Sequence, residues 1–194
     1  MRSSLTRLVT VAGVLAGVAA LSACGPGDDG PGEDAAAVTF RPVEAAVLVE
    51  SAGDALPPEV EGHEAADWFA AGDCAAEAPT GEGFAAACSA DGSEIFLLGA
   101  TALDGTDVES VEVTRDDETG DAVTLTFSEA GTQALADLTE EAVGQPQPGN
   151  RIAIVVDGTV LASPVVQSAI TNGLISVFGG TGDDVVQAIA DALD

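Results

Sequence analysis

The chain has 194 residues, 46% of them hydrophobic, and carries 33 acidic residues against five Arg and no Lys, a formal charge of −28. So strong a negative field repels phosphate backbones and anionic lipid headgroups, which excludes nucleic acid as a partner, while the apolar fraction suffices for one ordinary core. The acidity reads as a bias of composition that keeps the protein off charged membrane surfaces, with a cation-binding or structural envelope role as the alternative.

In chain order, Arg2 and Arg7 precede an apolar run from Leu8 to Leu21, and Leu21-Ser22-Ala23-Cys24 follows. That order is a charged region, an apolar region and a small-residue cleavage site, and the run is shorter than the roughly 20 residues a spanning helix needs. A Leu, two small residues and a Cys form the lipobox arrangement of bacterial lipoproteins. Residues 1–23 are therefore expected to be a cleaved lipoprotein signal, with Cys24 bearing a diacylglyceryl group that holds the remainder on the outer face of the cell membrane. Two or more acyl chains give the stable anchoring that one cannot. An ordinary export signal with an incidental Cys is the rival reading. No second apolar run reaches spanning length, so the mature protein is expected to be soluble apart from its lipid.

Residues 24–37 form an acidic Gly/Pro-rich tether without periodicity. Residues 38–91 are an N-terminal part that opens on the alternating segment Val38 to Val43, a predicted strand whose Pro42 confines it to an edge or a strand end. Behind it come an apolar run from Ala46 to Val49, the Pro57-Pro58 break and a predicted helix from Glu61 to Ala71. With Cys24 assigned to lipid, Cys74 and Cys88 remain as a pair in an oxidising compartment, where a disulfide is expected. The segment between them offers only Phe84 as a large apolar residue, so the staple compensates for a thin core. A metal reading of these thiols needs further ligands, and His63 is the sole His of the chain.

Residues 92–194 give clearer signals. The Asp91-Gly92 turn leads into a buried strand, Glu94 to Leu98, and Val108, Val111 and Val113 mark another. Val123, Leu125 and Phe127 alternate with Thr124 and Thr126 as a strand with one face in the core. Ser128 reads as the N-cap of a helix that carries Leu135, Leu138 and Ala142 on one face. Ile152 to Val156 is an apolar strand, turned by Asp157-Gly158 into Val160 to Ala162. Pro164 ends that hairpin, Asn172-Gly173 turns the chain into Leu174 to Phe178, and Thr181 caps a last helix with Val186, Ile189, Ala190 and Leu193 as its buried stripe. The order implies an α+β fold, a largely antiparallel sheet with two main helices packed on it.

From Phe96 onward the chain resembles the head of the first extracytoplasmic domain of SecD and SecDF, membrane subunits that assist protein export. The strand and helix VTLTFSEAGTQALADLT (123–139) carry part of the likeness. The more specific part is IAIVVDGTVLASPVVQSAITNGLISVFGG (152–180), with its Ala-Ile-Val-x-Asp-Gly hairpin, Pro after small residues and Ile-x-x-Gly. The C-terminal helix and Phe40-Arg41-Pro42-Val43 also fit. The family's pattern is broken at Ala162-Ser163-Pro164, where Ser-Ala-Pro is usual, and at the Thr-Gly-Asp-Asp approach to the last helix. The resemblance implies the SecDF head fold and a surface that touches exported polypeptide or an envelope protein, without the proton-relaying membrane helices that supply energy in that family.

No enzyme chemistry stands out. His63, beside Glu64, reads as a surface residue of an amphipathic helix rather than a catalytic base. Gly179-Gly180-Thr181-Gly182 looks like a phosphate cradle, but Asp183 and Asp184 already place negative charge there and no Lys is at hand. Asp116, Asp117, Glu118 and Asp121 lack the alternating spacing of a Ca²⁺ loop and read as a solvated turn. Trp68 and Phe69 read as core. The expectation is a non-catalytic binding lipoprotein without cofactor or metal, meeting its partner through a sheet edge.

Overall fold

The computed structural model describes residues 37–54, 56–115, 120–179 and 184–193. Cys24, the signal and the tether lie outside the described residues, as do the acidic turn at 116–119 and the Thr181 cap. The elements are β1 (Val38–Leu48), α1 (Ala66–Ala71), β2 (Thr80–Gly81), β3 (Phe84–Cys88), β4 (Glu94–Leu98), β5 (Leu103–Asp104), β6 (Val108–Thr114), β7 (Ala122–Phe127), α2 (Glu129–Ala142), β8 (Ile152–Val156), β9 (Thr159–Ala162), β10 (Leu174–Phe178) and α3 (Asp184–Leu193). They form a seven-stranded sheet in the order β2-β3-β4-β1-β8-β9, with β5 also on β1, and a three-stranded sheet in the order β10-β7-β6. Every strand pair is antiparallel, and the fold is α+β.

β1 differs from the expectation that Pro42 confines it to an edge or a strand end. It runs through the middle of the large sheet, pairing along one side with β8 and along the other first with β5 and then with β4. Pro42 is tolerated because of where it falls. Phe40 and Pro42 aim their backbone groups at the β4–β5 side, accepting from the amides of Ala102 and Gly99, each at 3.0 Å. The missing amide of Pro42 therefore meets the junction between two partner strands, with an irregular register just beyond it between Val43 and Ala45.

The large sheet rolls over until its two sides meet. Ser89, just past β3, bridges to Val160 of β9, and the Ala90 amide donates to the Val160 carbonyl at 3.0 Å. Val43, Phe96, Leu98, Ala153, Val155 and Val160 pack inside the roll, where alanines at 87 and 153 let the strands close tightly. β4 is consequently apolar on both faces, which is why EIFLL shows no alternation. Asp91-Gly92 is a turn within this one sheet, so residues on both sides of it share a ladder.

The outer face of the roll supports two further clusters. One gathers Val60, Phe69, Phe84, Ile95 and Leu97 beneath α1. The predicted helix from Glu61 survives only as Ala66–Ala71, because Gly62 takes a left-handed φ of 76° and the His63 ring accepts the Ala65 amide at 3.1 Å. Cys74, after α1, is joined by a disulfide to Cys88 at the end of β3. The other cluster is the main core, where Phe40, Leu125, Leu135, Ile154 and Ile189 are fully buried between the roll, the three-stranded sheet, α2 and α3. Phe40 and Phe127 meet edge-on at 5.2 Å between ring centres. Burying each such side chain contributes roughly 1.5–3 kcal/mol against the entropy of ordering the chain.

α2 begins as its sequence implies, with the Ser128 hydroxyl accepting the Gly131 amide at 3.1 Å. Gly131 is required for closeness: a Cβ there would stand 2.7 Å from the Asp107 carbonyl oxygen. The β8–β9 turn has positive φ at both Asp157 and Gly158, the type I′ geometry that matches strand twist. Among the described residues no helix is long and apolar enough to cross a membrane, a statement that leaves strands aside.

Candidate functional site

The residues first considered for chemistry do not converge. The His63 ring stacks edge-on against Phe84 at 4.5 Å with one nitrogen occupied by backbone, and Phe69 is fully buried. Asp121, partly buried, lies 3.7 Å from the exposed Arg115. Gly179 closes β10, while the rest of that glycine run falls outside the described residues. Among the described residues no group of three or more His, Cys, Asp or Glu is arranged to hold a metal.

What does converge is apolar surface beside an unpaired strand edge. From Gly158 to Gly182 the sequence contains no Asp, Glu, Lys, Arg or His, an unusual gap in a chain this heavily charged. The described part of that stretch forms β9, the link Ser163–Gly173 and β10. β10 pairs only with β7 among the described residues, in a register of Leu174 with Thr126, Ile175 with Leu125, and Val177 with Val123. The Gly173 carbonyl accepts from the Phe127 amide at 2.9 Å, and the Gly179 amide donates to the Asp121 carbonyl at 2.8 Å. The backbone groups of the odd-numbered residues thus face β7, so alternation turns those of Ser176 and Phe178 outward, along an edge with no partner strand among the described residues. Leu174 is 42% exposed and Phe178 69%. On that outer face Ser176 meets Thr124 hydroxyl to hydroxyl at 3.1 Å.

Alongside β10 runs a groove of about 240 Å³, lined mainly by apolar side chains, among them Ile152 and Ile154 of β8, Val166 of the link and Ile175, with the uncharged polar residues Gln167 and Ser168 also on its wall. Its wall is pinned by main-chain and side-chain bonds. The Val166 amide donates to the Asn150 carbonyl at 2.8 Å, and the Ile152 amide to the Pro164 carbonyl at 3.2 Å. The Ile170 amide donates to the buried Thr139 hydroxyl at 2.9 Å, which in turn donates to the Leu135 carbonyl at 2.7 Å. Arg151 secures the near end: its Nε donates to the Ser163 carbonyl at 3.1 Å while its other nitrogens grip both Glu94 oxygens at 2.7 and 3.0 Å. The same guanidinium lies 5.2 Å from the Phe96 ring centre. Such a groove can accept the alternate side chains of an added strand without first ordering itself.

At the start of β10, Gly173 adopts a φ of 67°, and a Cβ on it would collide with Thr132 of α2. Asn172 accepts the Leu174 amide on its side-chain oxygen at 3.2 Å, completing the turn that aims the strand. The sequence announced this strand but not its free edge. The signal present there was the missing charge, since exposed edges are ordinarily guarded by charged side chains.

Three comparisons bear on identity. The family described as SecDF, P1 head subdomain, matches residues 84–194. Protein translocase subunit SecD of Streptomyces coelicolor is 34% identical over 100 residues, which are 50% of this chain and 18% of that subunit. SecD of Acetobacter pasteurianus is 34% identical over 92 residues, 47% of this chain and 17% of its own length, and SecDF of Thermus thermophilus 31% over 93 residues, 48% and 12%. The matched stretch is thus under a fifth of each relative. A crystal structure of SecDF in a super-membrane-facing form aligns over 81% of this chain and 18% of its own, with a TM-score of 0.49 and 25% identity. A structure described as a membrane component SecDF that enhances protein export aligns over 81% and 61%, with a TM-score of 0.48 and 22% identity. With its β3-to-α3 portion covered from end to end by the family's sequence pattern, the chain belongs to the SecDF P1 head subdomain family.

Proposed function

We propose that this chain is a non-catalytic, extracytoplasmic lipoprotein that binds extended polypeptide along β10 and acts as an accessory to protein export. The observation that carries this reading is the edge of β10 that has no partner strand among the described residues: outward backbone groups at Ser176 and Phe178, flanked by exposed apolar side chains and a preformed groove, and free of charge. A bound segment would add its backbone to the ladder and place alternate side chains in the groove. Main-chain pairing of this kind tolerates many sequences, which suits a protein that meets passing chains. Family membership adds support, because the relatives are translocase subunits. A photo-crosslinking residue at position 165 or 178, irradiated in intact cells, should capture exported polypeptides. Capture of none, with the protein present in normal amount, would refute the reading.

Anchoring at Cys24 is part of the proposal. Cys24→Ser should move the protein from the membrane fraction to the surrounding fluid, and the mature N-terminus should carry an acyl mass. An unmodified N-terminus on the membrane-bound protein would contradict it.

A further inference from the structure

We infer that the β10 edge selects extended segments that are uncharged where they pair and basic on either side. The inference rests on the reading of β10 as a polypeptide-binding edge and specifies which polypeptides it takes. The edge and groove contribute no charge, yet they sit in a chain whose formal charge is −28, so the potential reaching an incoming strand comes from the rest of the body and is negative. A Lys or Arg flanking the paired stretch is drawn in; an Asp or Glu in the same place is repelled. Within the paired stretch itself a charged side chain meets no opposite charge: the groove offers the apolar side chains of Ile152, Ile154, Val166 and Ile175 and only neutral polar groups at Gln167 and Ser168, so burying a charge there is unfavourable. Two opposed filters therefore act on one strand, apolar recognition in the middle and electrostatic attraction at the ends. A second copy of this chain fits the first filter and fails the second, because its own β10 is neutral but arrives with another −28.

The test uses the full-length chain as its host processes it, purified in neutral detergent, with fluorescent peptides built on one alternating Val/Thr core. The core flanked by Lys should bind at least about tenfold more tightly than the same core flanked by Glu at low salt, and the gap should narrow at about 0.5 M salt as the field is screened. Replacing a central core residue by Lys should abolish binding. Ser176→Pro removes one outward amide without touching the ladder to β7 and should block every peptide, while an unchanged melting curve shows the fold intact. Should that variant melt early, Phe178→Asp serves the same end through the side chain. Equal binding of Lys-flanked and Glu-flanked peptides overturns the charge selection and leaves the edge reading standing. Binding of neither peptide overturns the edge reading itself. Concentration-dependent dimers of the peptide-free chain, abolished by Ser176→Pro, would show a second copy as the occupant and overturn the inference.

Discussion

Among the described residues the three-stranded sheet has two edges without a partner strand, and they are built in opposite ways. β6 carries exposed Glu109 and Glu112 and has an irregular register between Val108 and Ser110, devices that discourage another strand from pairing. β10, at the other side of the same central strand, has neither charge nor irregularity and exposes Leu174 and Phe178. Both edges lean on β7, and β6 also packs against α3. One edge carries such devices and the other does not, the contrast on which the proposed binding at β10 rests.

The comparison breaks most severely if β7 is loosened. Leu125 is fully buried between the sheets, and Leu125→Ala should lower stability by about 3 kcal/mol in urea unfolding and impair both edges together. The disulfide separates the two ends of the molecule. Replacing Cys74 and Cys88 by Ser should lower global stability by roughly 3 kcal/mol for a loop of this length, yet leave peptide binding at β10 within about twofold. Arg151→Leu should cost about 2 kcal/mol, because it leaves the half-buried Glu94 carboxylate and the Ser163 carbonyl without their donor, and it should weaken β10 binding while sparing β6. Loss of stability without loss of binding would show that the groove wall does not need this anchor.

Exchanging the character of the edges is a finer test. Phe178→Glu should change stability by less than about 0.5 kcal/mol and reduce peptide affinity at least tenfold by fluorescence anisotropy. The reciprocal Glu112→Val should promote self-association through β6, read by light scattering. The smallest effect concerns Asp91, remote from both edges. Hydrogen bonds from the Ser89 hydroxyl first, then from the Ser93 hydroxyl and amide, hold its carboxyl at about 2 against an ordinary 3.8. A depressed carboxylate stabilises the fold fully above its unfolded value, so protection of the Ser93 amide should persist at pH 4 and fade as pH falls through about 2, in hydrogen exchange. Asp91→Asn should flatten that profile and leave β10 binding unchanged.

Local patterns made much of this fold legible in the sequence. Alternation at Val123, Leu125 and Phe127, the Ser128 cap, the Asp157-Gly158 turn and the unbroken apolar run of β8 all depend on neighbours a few residues apart, and each forms as written. Where local signals competed, the reading failed. Pro42 argued for an edge or a strand end, whereas the junction of β4 and β5 made room for it inside a central strand, and Gly62 cut short the helix expected from Glu61. The unpaired edge of β10 was written only as an absence of charge, which names no partner strand.

The sequence by itself determined most of the elements from Glu94 onward, their turns and the acidic character, because these follow from side-chain chemistry and short-range backbone preference. Only the tertiary structure decided that the large sheet rolls closed through Ser89 and Val160, that β10 pairs with β7 and with no other described strand, and that Arg151 and Thr139 brace the groove wall. Those outcomes depend on contacts between residues far apart in the chain, where several pairings satisfy the same apolar pattern and mutual packing selects one.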